Sequence, residues 1–211
     1  MSNKESIKKI VKEKDVPYLV HFTHISNLES ILDKGILSRN KTDALEQKAV
    51  VNDELRLDNH RETISVSIAH PNDKMFYKYR DSDEDWCVIG IKRKVLWQED
   101  CLFCKHNAAS AKVSDLTPEY LASDDALKSM FDEVEELDSR AEQCLKEYDP
   151  TDVQAEVLVK DEISPDDILG VIVSNRAIKK KYKDLIEEKN IKINSPDKGV
   201  YATRLYRRKW Q

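Results

Sequence analysis

The runs of β-branched and aromatic residues in this chain are all short, and each gives way to a helical pattern or a polar stretch. That confines the chain to a sheet of brief strands. The longest, Val16-Pro-Tyr-Leu-Val-His-Phe-Thr23, reads as a first strand with Pro17 at its entry. Thr63 to Ala69 (TISVSIA) alternates Ile64, Val66 and Ile68 with Thr63, Ser65 and Ser67, which predicts a strand with one polar face. Trp86 to Ile91, Gln154 to Val159 and Gly170 to Ser174 supply the third to fifth strands, with Ile191 to Ile193 and Val200 to Thr203 at the end. Between them, Ile25, Leu28, Ile31 and Leu32 recur at helical spacing from His24 to Lys34, with Gly35 as the C-cap. Shorter helices are predicted over Thr42 to Lys48 and from Asn72 to Tyr79, and a longer one over Arg176 to Lys189. Short strands scattered among helices predict an α+β fold, in one domain over residues 1–211.

The net charge of −5 conceals a strong segregation. From Asp115 to Asp152 there are 13 acidic residues against 3 basic ones, which leaves 32 basic against 27 acidic residues elsewhere. The body is therefore mildly basic and carries an acidic insert at about 115–152. Within the insert, Leu127, Met130, Val134, Leu137, Ala141, Cys144 and Tyr148 alternate three- and four-residue spacing, which predicts a helix over Pro118 to Tyr148 with a narrow apolar seam. Basic runs stand at Lys92-Arg93-Lys94, at Lys179-Lys180-Lys181 and in the tail, at Arg204, Arg207, Arg208 and Lys209. They permit a nucleic-acid partner without requiring one, since such runs also serve as solvated faces.

Several function classes drop out. Four glycines leave little room for a Walker-type phosphate loop. No apolar run approaches the roughly 18–20 residues of a membrane span. The first fifteen residues are charged throughout, without the apolar core of a secretory signal, so the expected protein is cytoplasmic and its four cysteines are free thiols. Cys101, Cys104 and His106 supply half a zinc site with no second pair nearby, and no metal is expected.

The remaining candidates are polar residues in apolar settings. His21 and Thr23 alternate on one face of the first strand, and Asn27 lies one turn beyond. Arg56 sits in a polar stretch ahead of the TISVSIA strand. Glu156 interrupts the apolar run Ala155-Glu156-Val157-Leu158-Val159, where a buried carboxylate needs a partner or a task. Each has a plainer reading: a core histidine, capping residues, a surface ion pair, and a glutamate sharing a solvent face with Leu158 and Lys160.

The segments His21-Phe-Thr-His-Ile-Ser-Asn27-Leu-Glu-Ser-Ile-Leu-Asp-Lys-Gly35 and Gln154-Ala-Glu156-Val-Leu-Val, in that order and followed by Ile168-Leu-Gly-Val-Ile-Val, resemble the DarT family of NAD-dependent nucleic-acid ADP-ribosyltransferase toxins. The resemblance spans about Tyr18 to Arg204. It implies an ADP-ribosyltransferase fold, with two small sheets forming a cleft for NAD, and a catalytic glutamate at Glu156. It also implies a cofactor site lined by His21, Thr23, Asn27 and Ser67, with an arginine active in binding and catalysis that matches Arg56, or else Arg61. Met75 and Phe76 then offer apolar surface to nicotinamide, with core packing as the alternative. Arg80, Lys92, Arg93 and Lys94 become candidates for a phosphate track along single-stranded DNA or RNA, and an antitoxin or chaperone becomes an expected partner. The stretch from Ser65 to Arg80 departs from the aromatic-rich version of the thymidine-modifying branch, so the target base stays open. So do transfer to protein, plain NAD hydrolysis and a non-catalytic binding role.

Overall fold

The structure, a computed structural model, describes residues 2–44, 61–80, 85–185, 190–195 and 198–211. Its strands are β1 (Leu19–His24), β2 (Ile36–Leu37), β3 (Thr63–Ile68), β4 (Trp86–Ile91), β5 (Cys101–Cys104), β6 (Glu156–Lys160), β7 (Glu162–Ile163), β8 (Ile168–Val173) and β9 (Ile191–Ile193). Seven form one sheet in the order β5-β6-β3-β1-β4-β8-β9, and β2 pairs with β7 apart from it. All pairs are antiparallel except β8 with β9. The two small sheets implied by the family are thus two wings of one sheet. β1 and β3 pair only at Leu19↔Ile68 and Val20↔Ser67, while β1 follows β4 as far as His24 and β3 follows β6 as far as Thr63. Beyond those two pairs the wings part.

Alternation along the strands sorts the side chains. Leu19, Ile64, Val66, Ile68, Ile89, Val157 and Val159 enter the main core. Each such aliphatic group contributes roughly 1.5–3 kcal/mol on full burial, against about 1 kcal/mol at most for an exposed ion pair. This face is covered by α1 (Asn3–Glu13), α2 (Leu28–Lys34), α5 (Val95–Gln98) and α8 (Asp124–Ser129). The sequence reading did not anticipate α1, whose Ile7, Ile10 and Val11 form a buried stripe among lysines behind a Ser2 N-cap. On the other face, α4 (Asp73–Arg80) packs Phe76 against Phe22 and Tyr201. The short helices α6 (Ala111–Ser114) and α7 (Pro118–Leu121) cover Leu158 with Val113 and Leu121. Gly35 ends α2 at φ 85°, and a Cβ there would stand 2.2 Å from the Ile163 carbonyl oxygen, so β2 meets β7 only because glycine leaves that space. Val200 to Thr203, expected as a strand, is instead a 3-10 turn over Gly199–Tyr201. The Tyr201 hydroxyl donates to the Trp86 carbonyl at 2.7 Å. The helix α3 (Arg39–Asp43) starts before the expected Thr42, the later part of that segment lies outside the described residues, and α9 (Arg176–Tyr182) begins as expected.

The long acidic helix does not form. Helix ends at Ser129, and residues 130–152 run through successive turns. Asp132, Glu133, Glu135, Glu136 and Asp138 would repel one another at helical spacing. Side-chain contacts within the insert and from the C-terminal helix stabilise the turns instead. Arg140 donates to the carbonyls of Lys146 and Asp149 and to the Thr151 hydroxyl, at 2.9, 2.7 and 2.9 Å. The wholly buried Asp149 takes two 2.6 Å bonds from Arg208 on α10 (Arg204–Trp210). Arg204 donates to the Pro150 and Thr151 carbonyls at 2.6 and 2.9 Å. The basic tail therefore clamps the acidic insert to the body.

Two measurements check this arrangement. Asp149→Ala leaves the Arg208 guanidinium unpaired, and chemical denaturation is expected to show a loss of about 3–5 kcal/mol. His70, buried among Arg207, Arg204 and Arg208, is held well below the usual imidazole range, chiefly by burial and then by the three cations. The unfolded chain therefore takes up a proton below pH ~6.5 that the folded chain does not, so stability is full above that pH and falls below it. Denaturation midpoints are expected to drop between pH 7.5 and 5.5, and His70→Gln to flatten that dependence.

Candidate active site

Glu156 opens β6 and shares a face with Leu158, as alternation requires, but that face is covered rather than solvated. Its neighbour across β5 is Cys104, and the chain leaving β5 folds back over the carboxylate. The Ala108 amide donates to Oε1 at 2.6 Å. The Ser65 hydroxyl of β3 donates to Oε2. Both oxygens are thus engaged by donors on two different elements, which fixes the carboxylate's orientation. Ser67, two residues further along β3, is buried and points to the same face.

His21 reaches this point from β1. Its Nδ1 lies 2.9 Å from the Ser65 carbonyl oxygen, and since a carbonyl only accepts, Nδ1 carries the proton. His21 pairs with Ile89 on the main-core side of the sheet, so it and Glu156 meet from opposite faces, through the backbone and side chain of Ser65. Thr23 is buried on the same side of β1 as His21, and the Asn27 side-chain amide donates to its hydroxyl at 3.0 Å. Asn27 precedes α2 without a side-chain capping bond. His24 holds that corner by accepting from the Ser26 amide at 3.3 Å.

Other expected residues fall elsewhere. Arg56 lies outside the described residues. Arg61 pairs with Asp43 ahead of Thr63, which faces Lys160, so it sits at the far end of the β3–β6 ladder from Glu156. Phe76 is 1% exposed between Phe22 and Tyr201 and serves the core, a correction to the expectation that it packs nicotinamide, while Met75 beside it is only half-buried. Arg80 closes α4. The basic triplet after β4 has structural partners: Lys92 donates to the Asp166 carbonyl at 2.7 Å, Arg93 to the Val16 carbonyl at 2.9 Å, and Lys94 pairs with Asp167 at 2.7 Å. These three side chains tie loops together in this structure.

Sequence reasoning missed Ser65, the 105–110 turn and the His106–Asp152 pair, 2.8 Å apart, which stands where the insert rejoins β6. The polar alternation of TISVSIA was the signal for Ser65; the turn left none, because Ala108 contributes its backbone. Cys101 and Cys104 are three apart on a strand and point to opposite faces, into the main core and the smaller cluster respectively. Burial pushes the Cys101 thiol up to about 12. Among the described residues no group of three or more His, Cys, Asp or Glu is placed to hold a metal ion, and no helix is long and apolar enough to cross a membrane.

A split α+β sheet with a strand-borne glutamate clamped beside the split, and a histidine reaching across it, has the organisation expected of an ADP-ribosyltransferase. The family model described as "ssDNA thymidine ADP-ribosyltransferase, DarT" matches residues 20–199, and the chain belongs to the DarT family. Among similar solved structures is Thermosipho africanus DarTG in complex with ADP-ribose, 19% identical with a TM-score of 0.55. The match covers 90% of this chain but 51% of that one, so this chain spans about half its length. Thermus sp. 2.9 DarT in complex with NAD+ is 14% identical with a TM-score of 0.54, over 85% of this chain and 96% of that one. The same Thermus protein in complex with ADP-ribosylated ssDNA gives 14%, 0.55, 85% and 95%. At these identities the likeness establishes the shared fold. No curated protein matches the chain.

If the Ser65 hydroxyl orients Glu156, Ser65→Ala is expected to lower kcat by roughly ten-fold, the scale of a hydrogen bond to a charged group, with KM for NAD little changed. Ser65→Thr, which keeps a hydroxyl, should recover part of the rate. Steady-state kinetics on both variants check this.

Proposed function

We propose that this chain transfers the ADP-ribose of NAD to a nucleobase of single-stranded DNA and releases nicotinamide, as the toxin of a toxin–antitoxin or phage-defence system. The observation that carries the reading is the Glu156 carboxylate held by Ser65 and Ala108 beside the split between β1 and β3. The family description and the complexes of Thermus DarT with NAD+ and with ADP-ribosylated ssDNA support NAD and DNA over the alternatives. Similarity to part of DarTG supports an antitoxin partner.

The donor set suits NAD as a substrate. Cleavage of the nicotinamide glycosidic bond leaves positive charge on the ribose, so the transition state calls for a fixed anion and a nucleophile held at C1. Glu156 supplies that anion, and its two anchoring donors remove the need to reorient it during reaction. A base nitrogen or ring amide is a weak nucleophile, and the carboxylate is the group in reach to accept its proton. His21, Thr23 and Asn27 line the co-substrate side at the end of β1, with Ser67 beside the carboxylate. Arg56 remains the candidate to neutralise the pyrophosphate or orient Glu156. The target base must be unpaired or extruded to enter such a cleft.

Incubation with labelled NAD and separate pools of single-stranded DNA, RNA and protein tests the proposal. Label is expected on the DNA pool and absent with Glu156→Ala. Label on RNA or protein alone, or equal labelling by the variant, would contradict it.

A further inference from the structure

A lysine stands on each side of Ala108, Lys105 in the turn that holds Glu156 and Lys112 in α6 just beyond it. Both are engaged by the acidic insert. Lys112 pairs with Glu136 at 2.5 Å, and Lys105 donates to the Glu133 carbonyl at 3.3 Å. Around these contacts Asp132, Glu133, Glu135, Glu136 and Asp138 are all exposed, five carboxylates within seven residues. The Lys112 ammonium holds the Glu136 carboxyl below the usual carboxylate range, and His106 adds to the effect, which puts Glu136 close to the same turn.

The insert is attached very unevenly. Its base is fixed by the buried Asp149–Arg208 pair and by Arg140 and Arg204. Its tip is pinned beneath by the buried Val134 and by the Arg140 amide on the Glu133 carboxylate, but its outward carboxylates stay exposed, and Glu136 meets Lys112 in an ion pair whose side chains are 54% and 63% exposed. Such a contact is weak and open to exchange with another anion. Lys105 and Lys112 stand three and four residues from Ala108, whose amide holds the Glu156 carboxylate, on a protein whose proposed acceptor is a polyanion.

We infer that Lys105 and Lys112 receive phosphates of the single-stranded DNA substrate, and that the 132–138 tip occupies them as an internal polyanion mimic until the strand displaces it. This rests on the DNA-transferase reading above. The insert then sets a threshold: a short or weakly held strand does not displace Glu136, and a strand that spans both lysines does. Bound DNA and the docked tip compete for the same ammonium group.

Fluorescence anisotropy with a fluorescently tagged mixed-sequence single-stranded DNA oligonucleotide containing all four bases, without NAD and over a range of salt, tests this on the full chain. Circular dichroism confirms the fold of each exposed-site variant. Glu136→Gln is expected to tighten binding about two- to five-fold at low salt. Lys112→Ala is expected to weaken it and to reduce the slope of log affinity against log salt by about 0.7. In the Lys112→Ala background, Glu136→Gln is expected to have no effect. No gain from Glu136→Gln, or an equal gain with and without Lys112, would overturn the inference. Labelling of the same oligonucleotide from NAD by the wild type separates the two proposals. Labelled DNA with no response to either substitution overturns only the competition, and unlabelled DNA overturns the enzymatic reading and this inference together.

Discussion

β1 and β3 share two residue pairs and then diverge, and the arrangement of the site depends on that divergence. A fully paired β1–β3 ladder would satisfy the Ser65 carbonyl with a backbone amide. Here the His21 ring takes that place, so a half-buried carbonyl finds its partner in a side chain of the opposite wing. The same residue offers its hydroxyl to Glu156 on the other face. Ser65 therefore couples the two wings at the point where the cleft opens, and the carboxylate takes one of its two anchors from strand geometry and the other from the 105–110 turn.

The other organising constraint is the disposal of charge. Most of the buried charge among the described residues lies between the insert and α10, while Asp167 is buried apart from it against Lys94. Arg204 is 4% exposed and Asp149 fully buried, which is tolerable only because carbonyls and a bidentate partner satisfy them. That cluster fixes the chain a few residues before Glu156, and the 152–155 turn and the His106–Asp152 contact carry the constraint to β6. The insert is thus fixed by buried pairs where it approaches β6 and exposes its carboxylates towards Lys112.

The alternating strands were legible because each has one face in the main core. TISVSIA, Trp86 to Ile91 and the Glu156 strand all stand where their patterns put them, within a residue or two. Alternation also placed Glu156 on the face of Leu158, but the cover over that face comes from residues 105–121, some 35 to 50 positions away, and no local pattern reports it. The seam from Leu127 to Tyr148 misled for a related reason. Met130 and Val134 are buried as a helical stripe would bury them, yet stacked turns do this equally well, and like-charge repulsion together with arginines from α10 decides between the two. The basic runs at 92–94 and 204–208 read as free cations because their partners, Asp166, Asp167, Val16 and Asp149, are remote or contribute backbone.

The central claim is that the carboxylate clamped by Ser65 and Ala108 is the group that meets the nicotinamide ribose. A crystal structure of the wild type with an uncleavable NAD analogue tests it most directly. The expected result is the ribose within hydrogen-bond distance of Glu156, in the gap between β1 and β3, with His21 still on the Ser65 carbonyl. An analogue bound away from Glu156, or a cleft in which Glu156 has turned from Ser65 to a purely structural partner, would contradict it.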